Sequence, residues 1–249
     1  MGNKVPDIKL IYNILLKKYG YQGWWPLTEL SFENPDTKGY HINDYSFPKT
    51  ELQRFEIGIG AILTQNTSWK QVEIAIENLM KLELIDPKKL LNANENIVKK
   101  AIKPAGYFNQ KYKKLIIFSR FFIDNDKLLM KLKKKYENSN DLKTIDKMRQ
   151  MLLELWGIGK ETADSILLYA YSIPIFVIDA YTKRIFKRLG FEFNEYDDLQ
   201  EIFHKTLSRD FKVYQEYHAL LVEHAKQHCK TKPLCNKCPL IQFCKFKSN

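Results

Sequence analysis

The sequence lacks an apolar run long enough to cross a bilayer. The longest such run, at 166–178, is broken by Ser172 and Pro174, whereas a spanning helix needs about 20 predominantly apolar residues. The first residues, MGNKVPDIKL, lack the apolar centre of a signal peptide, and Pro6 stands where a myristoylation motif requires Ser or Thr. We therefore expect no membrane partner and a cytoplasmic location, associated with the nucleoid if the source is prokaryotic.

Cysteine is missing from most of the chain, since all four cysteines fall within the last 21 residues. In a reducing compartment this grouping does not indicate a disulfide framework. Cys229, Cys235, Cys238 and Cys244 lie within 16 residues of sequence, so four thiolates can surround one soft metal centre. A single Cys-x2-Cys knuckle with two outlying cysteines is unlike the paired knuckles of most zinc fingers. The spacing favours a [4Fe–4S] cluster, with zinc as the alternative.

Strand-rich regions and repeats of solenoid length are also missing. The composition, 45% hydrophobic and 28% charged over 249 residues, is typical of a soluble globular chain with one large domain or two modest ones. The excess of 40 Lys+Arg over 29 Asp+Glu gives a formal net charge of +11. Such a charge favours a polyanionic partner, either nucleic acid or an anionic membrane.

Apolar residues at helical spacing predict helices through most of the chain. The predicted helices cover 51–81 with a turn at LTQNTSW, then 97–102, 111–122, 144–155, 161–171, 180–189, 197–207 and 214–227. The lysine-rich stretch 131–141 is predicted to be a solvated face and a loop. The fold is therefore predicted to be all-α.

The stretch GIGKETA lies between two of these helices. Gly157 and Gly159 permit a tight turn there and leave backbone N–H groups at the start of the next helix, which suit a phosphate. Lys160 can add charge. The predicted DNA contacts at this turn are Gly157, Ile158, Gly159 and Lys160. An ordinary helix–helix turn with a glycine cap is the alternative. Eighteen positions after Glu161 stands Asp179, before a predicted helix, where aspartate is commonly an N-cap.

The chain resembles the helix-hairpin-helix DNA glycosylase superfamily in three features that follow one another in the same order. These are the glycine hairpin, the aspartate and the four terminal cysteines. The endonuclease III type, which carries an iron–sulfur loop, is the most similar in plan. The stretches FEIGIGAILTQNTSW and IKPAGYFNQKYKKL extend the resemblance over residues 55–244. Five residues separate Cys229 from Cys235, one fewer than is usual in the family. We expect this difference to change the conformation of the loop rather than the identity of the metal centre.

This resemblance implies two α-helical lobes with a DNA-binding cleft between them. A six-helix barrel with the hairpin is expected over 51–175, and a discontinuous helical domain over 1–50 and 176–249, ending in the four-cysteine loop 229–244. A monomer would bind double-stranded DNA across the hairpin and flip the damaged nucleotide into the cleft. Gln65 aligns with a residue that fills the vacated stack, and Tyr107 would assist it.

The resemblance also implies a reaction. Asp179 matches the family's catalytic aspartate, which would stabilise the cationic sugar and orient the attacking water. At the position of Glu161, the bifunctional branch has a lysine that attacks the sugar to form a Schiff base. A carboxylate cannot form that imine. A monofunctional glycosylase that leaves an abasic site is therefore expected.

The pocket motifs resemble those of 3-methyladenine DNA glycosylase III. The motifs WWP, TQNT-x-aromatic, GIGKE-x-AD and D-x-Y are similar to those of that branch. The resemblance implies five base-pocket residues within these motifs, and Lys226 aligns with a pocket-side lysine of the branch. The predicted base pocket therefore contains Trp24, Trp25, Pro26, Trp69, Glu161 and Lys226. Aromatic stacking binds bases in general, and the positive charge of an alkylated purine adds a cation–π attraction. Glu161 would then be an acceptor or counter-charge at the pocket floor.

Three functions remain at this point. The favoured one is hydrolytic excision of alkylated purines, chiefly 3-methyladenine, in base excision repair. One alternative is an endonuclease III-type glycosylase for oxidised pyrimidines or mismatched bases, because the best-known members of the 3-methyladenine branch lack the cysteines that this chain has. The other is a non-catalytic DNA-damage-binding module, against which the presence of Asp179 argues.

Overall fold

The computed structural model describes residues 5–246, which form an all-helical fold without a β-strand in that range. Twelve α-helices follow one another along this part of the chain: α1 Ile8–Tyr19, α2 Thr28–Glu33, α3 Glu51–Leu63, α4 Trp69–Lys81, α5 Pro87–Asn92, α6 Glu95–Ile102, α7 Phe108–Ser139, α8 Leu142–Leu153, α9 Lys160–Ser165, α10 Ala180–Leu189, α11 Tyr196–Thr206 and α12 Phe211–Gln227. A π-helical turn, Ile166–Ala170, continues α9. Across residues 5–246, none of the helices is both long and apolar enough for a membrane crossing.

The chain divides into two compact helical units. The first, here called the hairpin unit, comprises residues 25–41 and 46–173. The second, the cysteine unit, comprises 5–24, Ile42–Tyr45 and 174–246. This division differs from the predicted domains, which assign 25–41 and 46–50 to the same domain as the cysteines.

Side-chain contacts explain why the hairpin unit includes residues 25–41. The Trp25 ring meets the Trp69 ring edge to face, with centroids 5.1 Å apart. Thr28 donates from its backbone N and its hydroxyl to Oε1 of Glu56 in α3, at 2.7 and 2.5 Å. Sequence periodicity misses these contacts because Trp25 and Thr28 lie in a loop and at the start of the short helix α2.

Helix α3 forms the centre of the hairpin unit. It begins with a capping box between Thr50 and Gln53 and packs against α7, where Gly58 leaves room for the Phe118 ring. Below this contact, Asp126 accepts from Nε and Nη2 of Arg54 at 2.9 and 2.6 Å. Because both side chains are nearly buried, this bidentate pair fixes the register of α3 against α7.

Helix α7 is much longer than predicted, with 32 residues. The predicted loop over 131–141 is wrong for 131–139, since the helix ends at Ser139. Leu129, Leu132 and Tyr136 recur at helical spacing and are buried, so they hold this stretch to the unit while its lysines face solvent. Helices α1, α2 and α5 are also absent from the predicted set.

In the cysteine unit, α12 packs against both α1 and α10. The Tyr217 hydroxyl donates to the Ile8 backbone oxygen at 2.9 Å, and the Phe176 and Phe203 rings stack with centroids 3.7 Å apart. This aromatic core supports the extended segment 174–178 that leads to Asp179. The core therefore fixes the start of α10, where the aspartate lies.

Candidate functional site

The hairpin between α8 and α9 needs glycine at only one of its two glycine positions. Gly157 has φ +82°, and a Cβ atom there would overlap the Lys114 side chain. Gly159 has φ −96° and ψ 178°, which any residue adopts, and a Cβ atom there would meet nothing within 4 Å. The prediction that both glycines serve the turn is therefore wrong for Gly159, whose small size leaves open space in front of the backbone.

Helix α9 is anchored beneath the hairpin by a buried ion pair. Nε and Nη2 of Arg149 donate to the two carboxylate oxygens of Asp164 at 2.7 and 3.0 Å, and Asp164 is fully buried. Ile158 points into the unit, whereas Lys160 and Glu161 are exposed on the first turn of α9. The pocket-floor role of Glu161 stays a prediction, and the residue is exposed in this structure.

The Gln65 side chain is held against the hairpin by three hydrogen bonds. Its Nε2 atom donates to the Gly157 backbone oxygen at 3.1 Å and to Oγ1 of Thr162 at 2.9 Å. Its Oε1 atom accepts from Nζ of Lys114 at 2.5 Å. The structure thus brings Gln65 together with the hairpin, and both were predicted to contact DNA.

A buried lysine joins the end of α3 to the turn after α6. Lys111 is 2% exposed, and its Nζ atom donates to the backbone oxygens of Leu63 and Ala105 at 2.8 and 2.7 Å. Burial, with a smaller contribution from Lys114, lowers the pKa of Lys111 to about 8. Two residues beyond Ala105, Tyr107 is 66% exposed with φ +46°, so this aromatic side chain is presented to solvent at a tight turn.

The predicted pocket residues lie in both units. Within the hairpin unit, Trp25 packs edge to face on Trp69 and on Tyr169, with centroids 5.1 and 5.3 Å apart. Pro26 and Trp69 line an open groove in the same unit. Trp25 itself is 5% exposed, so it supports the Trp69 ring from inside the unit.

Trp24 and Lys226 form the other predicted pair. Both belong to the cysteine unit, where Nζ of Lys226 lies 5.5 Å from the centroid of the Trp24 ring. Lys226 is exposed and Trp24 is half-buried. The structure therefore brings these two predicted pocket residues into cation–π contact.

Asp179 caps α10 and is nearly buried. Its Oδ1 atom accepts from the Thr182 backbone N at 2.7 Å, and its Oδ2 atom lies 3.7 Å from Nε2 of His218. Burial by itself raises the pKa of the Asp179 carboxyl, but the interactions with the nearby His218 ring and with Thr182 hold that pKa below its ordinary value of 3.8. The side chain is therefore a buried carboxylate that stays ionised at neutral pH.

The four cysteines line one pocket in the cysteine unit. The rest of its wall is largely apolar and includes Ile185, Leu189 and Leu240. Within residues 5–246, no three His, Cys, Asp or Glu side chains are close enough to hold a single metal ion. Four thiol donors in one largely apolar pocket fit a soft metal centre, either a [4Fe–4S] cluster or zinc.

Two other side chains approach the cysteine sulfurs. Nη1 of Arg188 donates to Sγ of Cys229 at 3.2 Å and to the Lys230 backbone oxygen at 2.7 Å. Nε2 of His224 lies 3.8 Å from Sγ of Cys238. N–H groups aimed at cysteine sulfurs are typical of sites where thiolates bind a metal centre. Burial lowers the pKa of His224 to about 4, so its ring is neutral.

Sequence reasoning missed several residues that this geometry brings into the site. Lys114 and Thr162 contact Gln65 from 49 and 97 positions away, and His218 contacts Asp179 from another helix. No local sequence pattern predicts these contacts, because the contacting residues are far apart in the chain. Trp156, which is 55% exposed directly before Gly157, had a visible signal, namely an aromatic residue at the edge of a glycine turn.

The comparison with family models identifies the chain. Residues 59–209 match the model of HhH-GPD superfamily base excision DNA repair proteins. The chain belongs to the HhH-GPD superfamily. A protein of Methanocaldococcus jannaschii described as a candidate DNA repair glycosylase is 43% identical over 98% of this chain and 99% of its own length. The endonuclease III of Sulfolobus acidocaldarius is 32% identical over 82% of this chain and 87% of its own length.

Solved HhH-GPD structures agree with the fold. The Helicobacter pylori 3-methyladenine DNA glycosylase, bound to 1,N6-ethenoadenine, is 28% identical and superposes with a TM-score of 0.56 over 73% of this chain and 91% of its own. Endonuclease III in a non-covalent DNA complex superposes with a TM-score of 0.68 over 96% of this chain and 94% of its own, at 19% identity. The family match and the 43%-identical relative show that the protein is a DNA glycosylase of base excision repair.

Proposed function

We propose that this HhH-GPD protein is a monofunctional glycosylase that acts as a monomer on double-stranded DNA. It hydrolyses the N-glycosidic bond of alkylated purines, chiefly 3-methyladenine, and leaves an abasic site. The observation that carries this proposal is Glu161, exposed on the first turn of α9 directly after the hairpin. Similarity to the Helicobacter pylori 3-methyladenine DNA glycosylase, at 28% identity, supports the choice of base.

Asp179 supplies the electrostatic part of the reaction. As the glycosidic bond breaks, the sugar gains positive charge, which a fixed carboxylate stabilises. Because the pKa of Asp179 lies below 3.8, the residue carries its charge without waiting for a proton to leave. The same oxygen atoms can orient water and accept its proton. An alkylated purine already carries a positive charge, so no general acid is needed for its departure.

Base selection rests on aromatic surfaces and on negative charge. Trp69, braced by Trp25 in the hairpin unit, offers a ring for stacking, and Trp24 offers another in the cysteine unit. Stacking on an aromatic ring contributes roughly 1–3 kcal/mol per base. The carboxylate of Glu161 favours a cationic base over a neutral one, whereas a lysine at this position would repel it.

We further propose that Cys229, Cys235, Cys238 and Cys244 bind a [4Fe–4S] cluster. The common pocket and its apolar wall support this assignment. Bound by these four thiolates, such a cluster would hold the loop 229–244 in one conformation. Arg188 donates to Cys229 Sγ from α10, so α10, the helix that Asp179 caps, also holds this loop.

The endonuclease III-type activity on oxidised pyrimidines remains the second candidate. Two observations favour it: the four cysteines, and the endonuclease III of Sulfolobus acidocaldarius at 32% identity. Glu161 argues against its lyase step, because a carboxylate forms no imine.

Borohydride trapping tests whether the enzyme has a lyase step. The protein is incubated with DNA duplexes carrying alkylated or oxidised bases in the presence of borohydride, which reduces any Schiff base to a stable adduct. We expect no adduct with any substrate, while a bifunctional glycosylase under the same conditions is trapped. A strong covalent adduct would contradict the monofunctional proposal.

A further inference from the structure

Lys114 lies next to both Gln65 and the hairpin glycine Gly157 in the hairpin unit. It lies on the first turns of α7, and its Nζ atom donates to the Gln65 side-chain oxygen at 2.5 Å. The stem of Lys114 lies against Gly157, where a Cβ atom would overlap it. The same side chain therefore touches the hairpin with its stem and Gln65 with its ammonium group.

The orientation of the Gln65 amide is fully determined by these contacts. Both N–H groups of Nε2 are engaged, one by the Gly157 oxygen and one by Thr162 Oγ1. The amide oxygen then has to face the ammonium group of Lys114. A flipped amide would place N–H groups against the Lys114 ammonium group and a carbonyl oxygen against the Gly157 oxygen. Both of these contacts would then be repulsive.

The ammonium group of Lys114 is poorly placed to bind phosphate itself. Lys114 is half-buried, and burial lowers its pKa. Its neighbour Lys113, by contrast, is exposed on the same helix. A surface lysine that binds DNA backbone would be expected to keep its head in solvent, as Lys113 does.

We propose that Lys114 is a positioning residue that holds Gln65 ready to enter the base stack when the damaged nucleotide leaves it. This inference rests on one part of the proposed function, namely that the protein flips a nucleotide out of the base stack. Fixing one flexible side chain before binding removes the need to order it in the complex, and that ordering ordinarily weakens binding by about tenfold. Lys111, which joins the end of α3 to the turn after α6 through Leu63 and Ala105, keeps the frame around Gln65 rigid.

The test compares paired and unpaired lesions in single-turnover base release. The lesion is one that the wild type releases, with 3-methyladenine expected, placed either opposite its normal partner or in an unpaired bubble where the base is already unstacked. Lys114→Met should slow release from the paired site about tenfold and leave release from the bubble unchanged. A variant that is merely misfolded would slow both.

Three further variants complete the test. Lys113→Met removes the same charge from the same helix and should leave the ratio of paired to bubble rates unchanged. Lys114→Arg retains a donor for the Gln65 oxygen and should restore most of the rate. In a Gln65→Ala background, Lys114→Met should cause no further loss, because Lys114 acts through Gln65.

Either of two results would overturn the inference. If the Lys114→Met and Gln65→Ala losses multiply, the two residues act independently. If Lys114→Met lowers the slope of log affinity against log salt by about 0.9, Lys114 is a phosphate contact. Should the wild type release some other lesion than 3-methyladenine, the substrate proposal fails, but the same comparison on that lesion still tests Lys114.

Discussion

Nε2 of His218 lies 3.7 Å from Oδ2 of Asp179. The two side chains come from different helices of the cysteine unit, and both are less than 10% exposed. His218 thus faces the carboxylate oxygen that the Thr182 backbone N does not use. Burial raises the pKa of Asp179, and the interactions with His218 and Thr182 together more than offset that effect. His218 therefore helps to keep the proposed catalytic carboxylate ionised.

Replacing His218 should shift the pH dependence of base release. In His218→Ala the burial of Asp179 remains while the opposing interaction is lost, so the pKa of Asp179 rises. We expect the acidic limb of the pH–rate profile to move to higher pH. His218→Gln, which can still donate a hydrogen bond, should move it less. An unchanged acidic limb in His218→Ala would show that His218 does not control the charge of Asp179.

The same pKa shift has a consequence for stability. The pKa of Asp179 is lower in the folded state than in the unfolded state. The ionised carboxylate therefore stabilises the fold at pH values above the unfolded-state pKa, and this stabilisation is lost as the pH falls through the folded-state pKa. Unfolding of the wild type by urea should therefore become easier below about pH 4. Asp179→Asn should remove this part of the pH dependence.

The two hairpin glycines should behave differently when each is changed to alanine. Gly157→Ala introduces a Cβ atom at φ +82° and against Lys114, so it should destabilise the fold by about 1–2 kcal/mol. Gly159→Ala meets no protein atom within 4 Å and should change stability by less than about 0.5 kcal/mol. Yet it should weaken binding to undamaged duplex, because phosphate would approach that backbone. Equal stability losses in urea unfolding would contradict this distinction.

Local patterns in the sequence predicted much of the fold. Helix α10, Ala180–Leu189, has the predicted bounds, with Asp179 at its start and Gly190 in a left-handed conformation at its end. Asp179 and Gly190 mark the two ends of this helix in the sequence itself, so its bounds are predictable. Helix α1 was missed, although Ile8, Ile11 and Leu15 are buried at helical spacing, because the aromatic and turn residues that follow dominate that part of the chain.

The assembly of the site could not be predicted in the same way. Residue types and the family resemblance identified Gln65 and Asp179, but not the side chains that hold them. Those partners, Lys114 and His218, are ordinary residues on amphipathic helices, and only folding brings them to their sites. Likewise, the exposure of Glu161 depends on how α9 packs rather than on its sequence position.

Glu56 should make stability pH-dependent in the opposite sense to Asp179. Burial raises the pKa of Glu56 to about 7, despite two hydrogen bonds from Thr28. A raised pKa means that the folded state holds a proton that the unfolded state has lost, so stability falls as pH rises from about 4.5 through 7. The loss should be on the order of 3 kcal/mol. Glu56→Gln, which can still accept from Thr28, should abolish it in urea unfolding at pH 5 and pH 8.

The four cysteines should give a coloured protein. A purified [4Fe–4S] protein is yellow-brown, whereas a zinc protein is colourless. We expect iron and sulfide in equal amounts, about four of each per chain. Cys235→Ser should lose the colour and the iron together, while Ser31→Ala, a change in the hairpin unit, should keep both. A colourless protein with one zinc per chain would contradict the cluster assignment.

The most direct test of the central claim is base release from a panel of lesions in duplex DNA. The panel contains 3-methyladenine, 7-methylguanine, hypoxanthine, thymine glycol and mismatched thymine, with strand cleavage scored before and after alkali. We predict release of 3-methyladenine, an intact strand until alkali is added, and a loss of at least about 100-fold in Asp179→Asn. Release of thymine glycol alone, or release by Asp179→Asn at the wild-type rate, would contradict the account.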